Sequence, residues 1–579
     1  MMKRPHWMIR GSLIAAIGIG FLHSETLAQS SHDLYIPTVS RSYTAINQPP
    51  LVPLGTEEWT QEAHDAQRTG YSPINPGTPW TLLWMFNASD SQGGSSCPGG
   101  DPTRGHCYNA APEAHTVTGG GALFVPASDK GLYALNARTG AVRWQFTDGT
   151  FNATPAYFNG YVYAGSQEGR LYRINVNSGD SNSYDAGSPL NRGILIVDDA
   201  VYALAENGQL HKVNLNSMAR MWVYDAKSST TEGTGLAYSA SRDIVLFGTN
   251  DLYVHAVRDS DGGQKWRTKP SPNTAGFPNQ FLYYWPVVAE KNGVVFLRMR
   301  LDHNAGLWGF PSVTSNAEAR SFLTSNPDMQ NLFALNLDDG TKKFVPAVGY
   351  GGTEDMLTGN GCSNESSCSY LVTGPPPVVK VWPDGAEVAY IQFRNNQGNG
   401  SDSRWDSHLG EMVLNGSTFS GYAAGDLRFV RMGGDNKSYI TVTDEQNPLT
   451  MAGNSIFHAH WGASEGILVQ DRSSSRGSSH NNPITSTALP PVIRRMQSCS
   501  GFNATTHATN CGMTLYGETR YWSSPGFWTY WNTWDPPTTT EAAGAYSDGM
   551  LPRYTYVSAD LIVVEGNGGD LMVFRHSGP

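Results

Sequence analysis

Short runs of alternating apolar and polar residues recur along the chain, and turns that contain glycine separate them. In the clearest copy, Gly140 lies in the turn before the last run and Trp144 lies within that run. Apolar residues at every second position predict half-buried β-strands, and a short turn with glycine predicts that consecutive strands pair as hairpins. This copy predicts three strands, which are Ala122–Ala127, Leu132–Ala137 and Val142–Thr147.

The same order of strands and turns returns with a period of about forty residues, which is typical of four-stranded propeller blades. Trp222 and Trp266 close later copies in the place where Trp144 closes the first. We therefore expect these three indoles to dock between neighbouring blades and to be buried there. The clearest copies are 119–149, 153–187, 198–226 and 242–269.

Insertions interrupt the later copies near 302–330, 350–373 and 472–550. The last unit, 559–578, has inner strands but lacks an outer one, whereas residues 78–89 have an outer-strand pattern and no unit of their own. Pairing the two would close the ring and remove both exposed strand edges. The sequence thus predicts an all-β fold with a single propeller of eight four-stranded blades, or of seven if 386–417 is not a complete blade.

The first copy resembles a known repeat family. The run from Ala134 to Trp144, ALNARTGAVRW, looks like the tryptophan-docking repeat of the pyrroloquinoline-quinone-like (PQQ-like) propellers, and residues 59–76 resemble the lead-in of exported bacterial members. That superfamily includes quinoprotein dehydrogenases and outer-membrane assembly propellers. The resemblance implies a propeller over residues 56–579. It leaves the function open, because one fold carries sites for many functions.

A degenerate quinoprotein dehydrogenase in the periplasm is one function that the resemblance implies. The enzymes hold PQQ against a disulfide between adjacent cysteines, and bind it with calcium and a catalytic aspartate. No two of the six cysteines are adjacent here, and no calcium-binding set of Glu, Asn and Asp falls on matching motifs. We therefore predict no catalytic or cofactor-binding residue, and keep an enzyme using PQQ and calcium as the alternative.

The first 28 residues have the pattern of a signal peptide. Basic residues precede the apolar stretch Leu13–Leu22, and small residues that end at Ala28 resemble a cleavage site. The apolar stretch is too short to cross a bilayer as a helix. These features predict export without a transmembrane segment, to the outside or the cell surface, or to the periplasm if there is an outer membrane.

Residues 29–55 lie between the signal peptide and the propeller, and we interpret them as an extended arm or linker. Residues 31–43 are β-prone and lie beside polar and proline-rich sequence. Such a stretch is either a loose linker or a strand that pairs with the edge of another molecule. The second interpretation predicts a homo-oligomer or a filament.

The six cysteines form three close pairs in loops rich in glycine, serine and asparagine. In an oxidising compartment such pairs favour disulfides that staple the loops, although closeness alone selects this pairing among 15 connectivities. The pairs are Cys97 with Cys107, Cys362 with Cys368, and Cys499 with Cys511.

Two further patterns could form sites. His458 and His460 are two residues apart on a predicted strand, so both imidazoles could face one metal ion, or could instead line the channel or a blade face. The loop 520–537 is rich in aromatic residues, which would form either a platform for a ligand or partner or a lid packed on the propeller. The platform would use Trp522, Trp528, Trp531 and Trp534.

The charge of the chain excludes one class of partner. The formal net charge is −11 and only 15% of residues are charged. A nucleic-acid surface needs clustered lysine and arginine, and no such cluster follows the N-terminus. We expect a protein or a glycan at the cell surface as the partner. The sequence therefore predicts an exported, non-catalytic propeller that acts as a binding or structural scaffold.

Overall fold

Eight four-stranded blades form a ring, so the chain folds as a β-propeller and the predicted all-β class is confirmed. The computed structural model describes residues 51–86, 114–281, 284–302, 313, 315–349, 352–354, 371–393, 395, 408–419, 421–432, 448–460, 463–471, 484–494, 552–566 and 571–577.

Two strands precede the first blade, β1 (Tyr71–Ser72) and β2 (Gly77–Phe86). Blades 1 to 4 each consist of four consecutive strands. Blade 1 contains β3 (Val117–Gly119), β4 (Ala122–Pro126), β5 (Leu132–Asn136) and β6 (Val142–Phe146). Blade 2 contains β7 (Ala156–Phe158), β8 (Tyr161–Gly165), β9 (Arg170–Asn175) and β10 (Ser181–Asp185). Blade 3 contains β11 (Leu195–Val197), β12 (Ala200–Leu204), β13 (Gln209–Asn214) and β14 (Arg220–Asp225). Blade 4 contains β15 (Ala237–Ser239), β16 (Ile244–Gly248), β17 (Val254–Arg258) and β18 (Gln264–Thr268).

The later blades carry the insertions. Blade 5 contains β19 (Val287–Ala289), β20 (Val294–Arg298), β22 (Leu332–Asn336) and β23 (Lys342–Phe344). A separate small sheet contains β21 (Leu301–Asp302), β24 (Gly352–Glu354) and β25 (Leu371–Thr373). Blade 6 contains β26 (Val378–Val381), β27 (Glu387–Phe393), β28 (His408–Val413) and β29 (Leu427–Met432). Blade 7 contains β30 (Thr450–Ala452), β31 (Ser455–His460), β32 (Ala463–Asp471) and β33 (Ile484–Arg494). Blade 8 contains β34 (Pro552–Ser558), β35 (Leu561–Gly566), β36 (Leu571–Ser577) and the early strand β2.

The region 386–417 belongs to a complete blade, because β26 to β29 pair in sequence. The count of eight is therefore confirmed over the alternative of seven. Blades 6 and 7 also join at the rim, where β29 and β33 pair in parallel.

The burial pattern explains why the repeat was visible in the sequence. The second strands of blades 1, 3, 4 and 5 are buried at every position, because each blade packs against a neighbour on both faces. Outer strands such as β10 and β14 are largely exposed or half-buried. Long apolar runs therefore mark the second strands, and mixed runs mark the rim.

An early strand, β2, closes the ring. β2 pairs antiparallel with β36, from Gly77 opposite Ser577 to Phe86 opposite Leu571. It becomes the outermost strand of blade 8, so the predicted closure by residues 78–89 is confirmed. β36 therefore pairs on both sides, with β35 and with β2.

One α-helix lies in the described residues, within the first predicted insertion. α1 (Asn316–Ser325) begins after the N-cap Ser315, whose hydroxyl oxygen accepts a hydrogen bond from Glu318 N (3.2 Å). A 3₁₀ turn, Pro327–Met329, follows it, and a second, Gly416–Thr418, lies in blade 6. The side-chain amide of Asn316 exchanges two hydrogen bonds with the backbone of Leu427 (2.8 and 2.9 Å), which fixes the helix to blade 6. None of the helices in the described ranges could span a bilayer.

Candidate functional site

The centre of the ring is occupied by the chain itself. Residues 57–72, here called the axial segment, pass the innermost strand of every blade, in the order blade 8 and then blades 1 to 7. At each blade, a backbone N–H group in or directly after the innermost strand donates a hydrogen bond to this segment. The donor and acceptor pairs are Ala559 N and Glu57 O (2.9 Å), Thr118 N and Trp59 O (2.8 Å), Tyr157 N and Thr60 O (2.7 Å), Ile196 N and Gln61 Oε1 (3.1 Å), Tyr238 N and Ala66 O (2.7 Å), Val288 N and Gln67 O (2.9 Å), Val379 N and Thr69 O (2.9 Å), and Met451 N and Gly70 O (2.8 Å).

Arg68 ties the axial segment to two blades. Its fully buried guanidinium donates to the carbonyl oxygens of Glu62 (2.6 Å), Leu236 (2.8 Å) and Ile194 (3.0 Å). Leu236 and Ile194 directly precede the innermost strands of blades 4 and 3. Burial lowers the pKa of Arg68 below its ordinary value. A single side chain thus binds three backbone carbonyls, one in the axial segment and one at the start of each of blades 3 and 4.

Glu62 is a buried acid at the centre of the ring. A Cβ added to Gly193 would come within 2.4 Å of Glu62 Oε2, and one added to Gly235 within 3.1 Å, so glycine at both positions makes room for the carboxyl group. Burial raises the pKa of Glu62, and the nearby Arg68 partly opposes that shift. Glu62 Oε2 has no hydrogen-bond partner in the described structure.

A second buried acid, Glu565, joins blades 8 and 1. One carboxylate oxygen accepts hydrogen bonds from Thr116 N and Thr116 Oγ1, both at 2.6 Å, and His115 Nδ1 lies 3.0 Å from the other. The His115 ring stacks on Tyr554, with ring centroids 4.1 Å apart. Trp59 of the axial segment stacks on Tyr556 at 5.0 Å. These polar and aromatic contacts stabilise the junction between blade 8, which β2 completes, and blade 1.

The three sequence-predicted docking tryptophans lie at blade junctions. Each indole Nε1 donates to a carbonyl in the turn after the third strand of the next blade. Trp144 and Trp266 are buried, and Trp222 is half-buried. The acceptors are Val176 O for Trp144 (2.8 Å), Asp259 O for Trp222 (2.8 Å) and Leu337 O for Trp266 (2.9 Å).

Sequence reasoning missed a fourth docking tryptophan, Trp84 on the closing strand. Its indole donates to Ala137 O (2.8 Å), the equivalent carbonyl of blade 1, and it is almost fully buried. A signal was present, because the sequence Trp-x-Phe occurs at both Trp84–Phe86 and Trp144–Phe146.

The junction between blades 2 and 3 uses a different residue. Tyr163 donates its hydroxyl to Leu215 O (3.0 Å), the carbonyl that an indole would otherwise bind. The following turn holds Met218 with φ 54°, where the other described turns of blades 1 to 5 have glycine. The contact between the two blades is therefore kept, but a tyrosine hydroxyl replaces the indole N–H as its donor.

Among the described residues, the outer strands of blades 1 to 5 have open edges at the rim, because each is the last strand of its sheet. On β14 of blade 3, Met221 is 47% exposed, which is unusual for a large apolar side chain in a strand. At blade 6 such an edge is covered, since β33 pairs with β29 over three residues. An outer edge of this ring can thus accept another strand.

The other predicted site residues are only partly covered. His458 and His460 lie on β31, where their backbones pair with Glu465 and Ala463; their side chains lie outside the described part. No group of three His, Cys, Asp or Glu side chains in the described ranges could hold a metal ion. The six cysteines and the aromatic platform lie outside the described residues. They are Cys97, Cys107, Cys362, Cys368, Cys499, Cys511, Trp522, Trp528, Trp531 and Trp534.

The strand pairing and the filled centre define an eight-bladed β-propeller. Residues 55–277 match the model of the family described as outer membrane protein assembly factor BamB, so this part of the chain carries the PQQ-like repeats that the sequence predicted. None of the curated proteins matches the chain.

Three solved structures are similar to this chain at low identity. BamB from Moraxella catarrhalis is 12% identical, with 80% of this chain and 96% of that chain covered and a TM-score of 0.40. The computationally designed Ika8 protein is 9% identical, with 86% and 99% covered and a TM-score of 0.40. The quinohemoprotein alcohol dehydrogenase ADHIIG from Pseudomonas putida HK5 is 10% identical, with 91% and 83% covered and a TM-score of 0.41.

Proposed function

We propose that this protein is an exported, non-catalytic scaffold that binds a partner protein through the rim and faces of its propeller. The observation that carries the proposal is the axial segment, which fills the centre of the ring with the chain's own residues. A centre that is tied to eight blades makes the ring rigid, and leaves the outer edges and loops as the surfaces for recognition.

The outer edge of blade 3 is the rim surface that we assign to partner binding. It combines an unpaired strand with the exposed Met221, and an extended peptide could add to it as a further strand. The pairing of β33 with β29 supports this mode, because it is the same kind of contact within one chain. The match of residues 55–277 to a family described as an assembly factor supports a scaffold as well.

The N-terminal arm adds a second component to the proposal. Its last described residues are linked to blade 1 through Glu58, since Leu54 N donates to Glu58 Oε1 (2.9 Å) and Gly120 N of blade 1 donates to Glu58 Oε2 (2.7 Å). We propose export from the signal-peptide pattern and self-assembly through this arm.

Site-specific photo-crosslinking in the native host tests partner binding. A photoreactive residue at position 221 should give one discrete crosslinked protein, and the same residue at position 158, where Phe158 is exposed at the end of β7, serves as the matched control. Equal patterns at both positions, or a crosslinked glycan in place of a protein, would contradict the proposal. An absorption spectrum and metal analysis of the same preparation test the alternative, because bound PQQ with stoichiometric calcium would indicate a dehydrogenase.

A further inference from the structure

Residues 51–86, here called the closure segment, behave in this structure like a long peptide bound to the rest of the ring. The segment contains both the axial segment and β2. Its hydrogen bonds reach all eight blades, and β2 adds a ladder of seven residue pairs to β36. All of these blade residues lie between 114 and 577.

The closure segment also buries large side chains in the rest of the ring. Trp59 and Trp84 are each 1% exposed, and Arg68 is fully buried. Trp59 N donates to Thr118 Oγ1 and to Ser558 Oγ, both at 3.0 Å, so one residue joins blades 1 and 8. Without the segment, one N–H group per blade would face the centre and lose its acceptor.

The connection to blade 1 is long enough for the segment to come from another molecule. Residues 87–113 separate Phe86 from Ala114, and 27 residues span up to about 90 Å when extended. We propose that the closure segment is exchangeable: the ring formed by residues 114–577 is a receptor for an extended polypeptide, and it takes the segment of a second copy as well as its own. This inference does not depend on the scaffold role.

The first test cuts the connection in the folded full-length protein. A protease recognition sequence placed within residues 87–113 should be cleaved without separating the two pieces, which should co-elute on size exclusion under native conditions. After brief exposure to a denaturant concentration below the unfolding midpoint, a fluorescent peptide of residues 51–86 should replace the cleaved segment. Separation of the pieces after cleavage, with the ring still folded, would overturn the receptor role.

The second test detects exchange between uncut copies. Two differently tagged full-length proteins, refolded together, should form mixed dimers whose fraction rises at least several-fold when the protein concentration rises 100-fold. A variant lacking residues 29–50 separates this route from assembly through the arm, since exchange should persist in it and arm docking should disappear. Purely monomeric refolding of both proteins at every concentration would contradict exchange.

Discussion

Trp266 of blade 4 lies directly against Gly340 of blade 5. A Cβ added to Gly340 would come within 2.5 Å of the indole, and the same indole donates to Leu337 O at 2.9 Å. The pairs Trp84–Gly140 and Trp222–Gly262 have the same geometry, because a Cβ added to either glycine would come within 2.7 Å of the indole. Glycine in these turns therefore serves the packing of an indole as well as the turn itself.

Replacing Gly340 by alanine should destabilise the junction of blades 4 and 5. Both Gly340 and Gly187 have a left-handed backbone, with φ of 74° and 75°, but a Cβ at Gly187 would meet nothing within 4 Å. Gly187→Ala therefore reports the backbone cost alone. We expect Gly340→Ala to lower the free energy of unfolding by a further 1–3 kcal/mol or so, as overpacking does. Equal urea midpoints for the two variants would contradict this.

Trp84 should be among the most sensitive positions of the closing strand. Trp84→Ala removes a buried indole and the hydrogen bond to Ala137 O, and should cost about 3–5 kcal/mol. Trp84→Phe keeps most of the packing and should cost less. Chemical denaturation measures both, with Met221→Ala as the exposed control, which should change stability by less than about 0.5 kcal/mol. A Trp84→Ala effect as small as the control's would show that β2 does not hold the ring closed.

Arg68→Met should weaken the attachment of the axial segment. It leaves three buried carbonyls without their donor, and each unsatisfied polar group costs about 1–3 kcal/mol. The matched control is Arg267→Met, which removes a partly exposed ion pair with Asp251 (2.6 Å) and should cost less than about 1 kcal/mol. Similar losses in the two variants would argue against a special role of the axial segment.

Two buried histidines should make the protein sensitive to acid. Burial lowers the pKa of His211 and of His255 to about 4, below the ordinary value of 6.5, so both are neutral in the folded state at neutral pH. As pH falls, these histidines bind protons at a higher pH in the unfolded chain than in the folded chain. The two neutral histidines therefore make their full contribution to the free energy of unfolding above pH 6.5. Between pH 6.5 and about 4 this contribution falls by up to about 1.4 kcal/mol per pH unit for each histidine.

The contacts of these rings suggest the variant that tests the acid effect. Tyr184 Oη lies 3.0 Å from His211 Nδ1, and Tyr224 Oη lies 2.9 Å from His255 Nδ1. Glutamine at both histidine positions keeps a polar side chain that does not titrate. Urea midpoints measured across this pH range should decline less steeply in the double variant than in the wild type. Parallel declines would assign the acid sensitivity to other groups.

Ordered water should occupy the centre of the ring. Trp59 Nε1, Glu62 Oε2 and the Tyr554 hydroxyl are buried without a hydrogen-bond partner. Buried waters commonly satisfy such groups, with about three hydrogen bonds each. A high-resolution crystal structure should show water bound to these atoms, and Trp59→Phe should remove the water at the indole. A map that shows no water within hydrogen-bond distance of any of the three atoms would contradict the expectation.

The repeat period located the blades, but the axial segment could not be predicted from the pattern. Second strands such as β4 and β12 carry long apolar runs, whereas the innermost strand β3 has only three residues and shows no period. The axial segment binds the blades mostly through backbone carbonyls, which every residue has. Its buried Glu62 and Arg68 resemble solvated surface residues in the sequence, because only the ring around them determines their burial.

The axial segment also sets an order of assembly during translation. The ribosome makes residues 57–72 before any blade, and these residues contact blades 1 to 7 in the order in which the blades are synthesised. The acceptor groups that each blade binds are therefore already present on the nascent chain when that blade is synthesised. Successive blades can therefore fold onto a segment that is already made, whereas the contacts of blade 8 with Glu57 and with β2 form last.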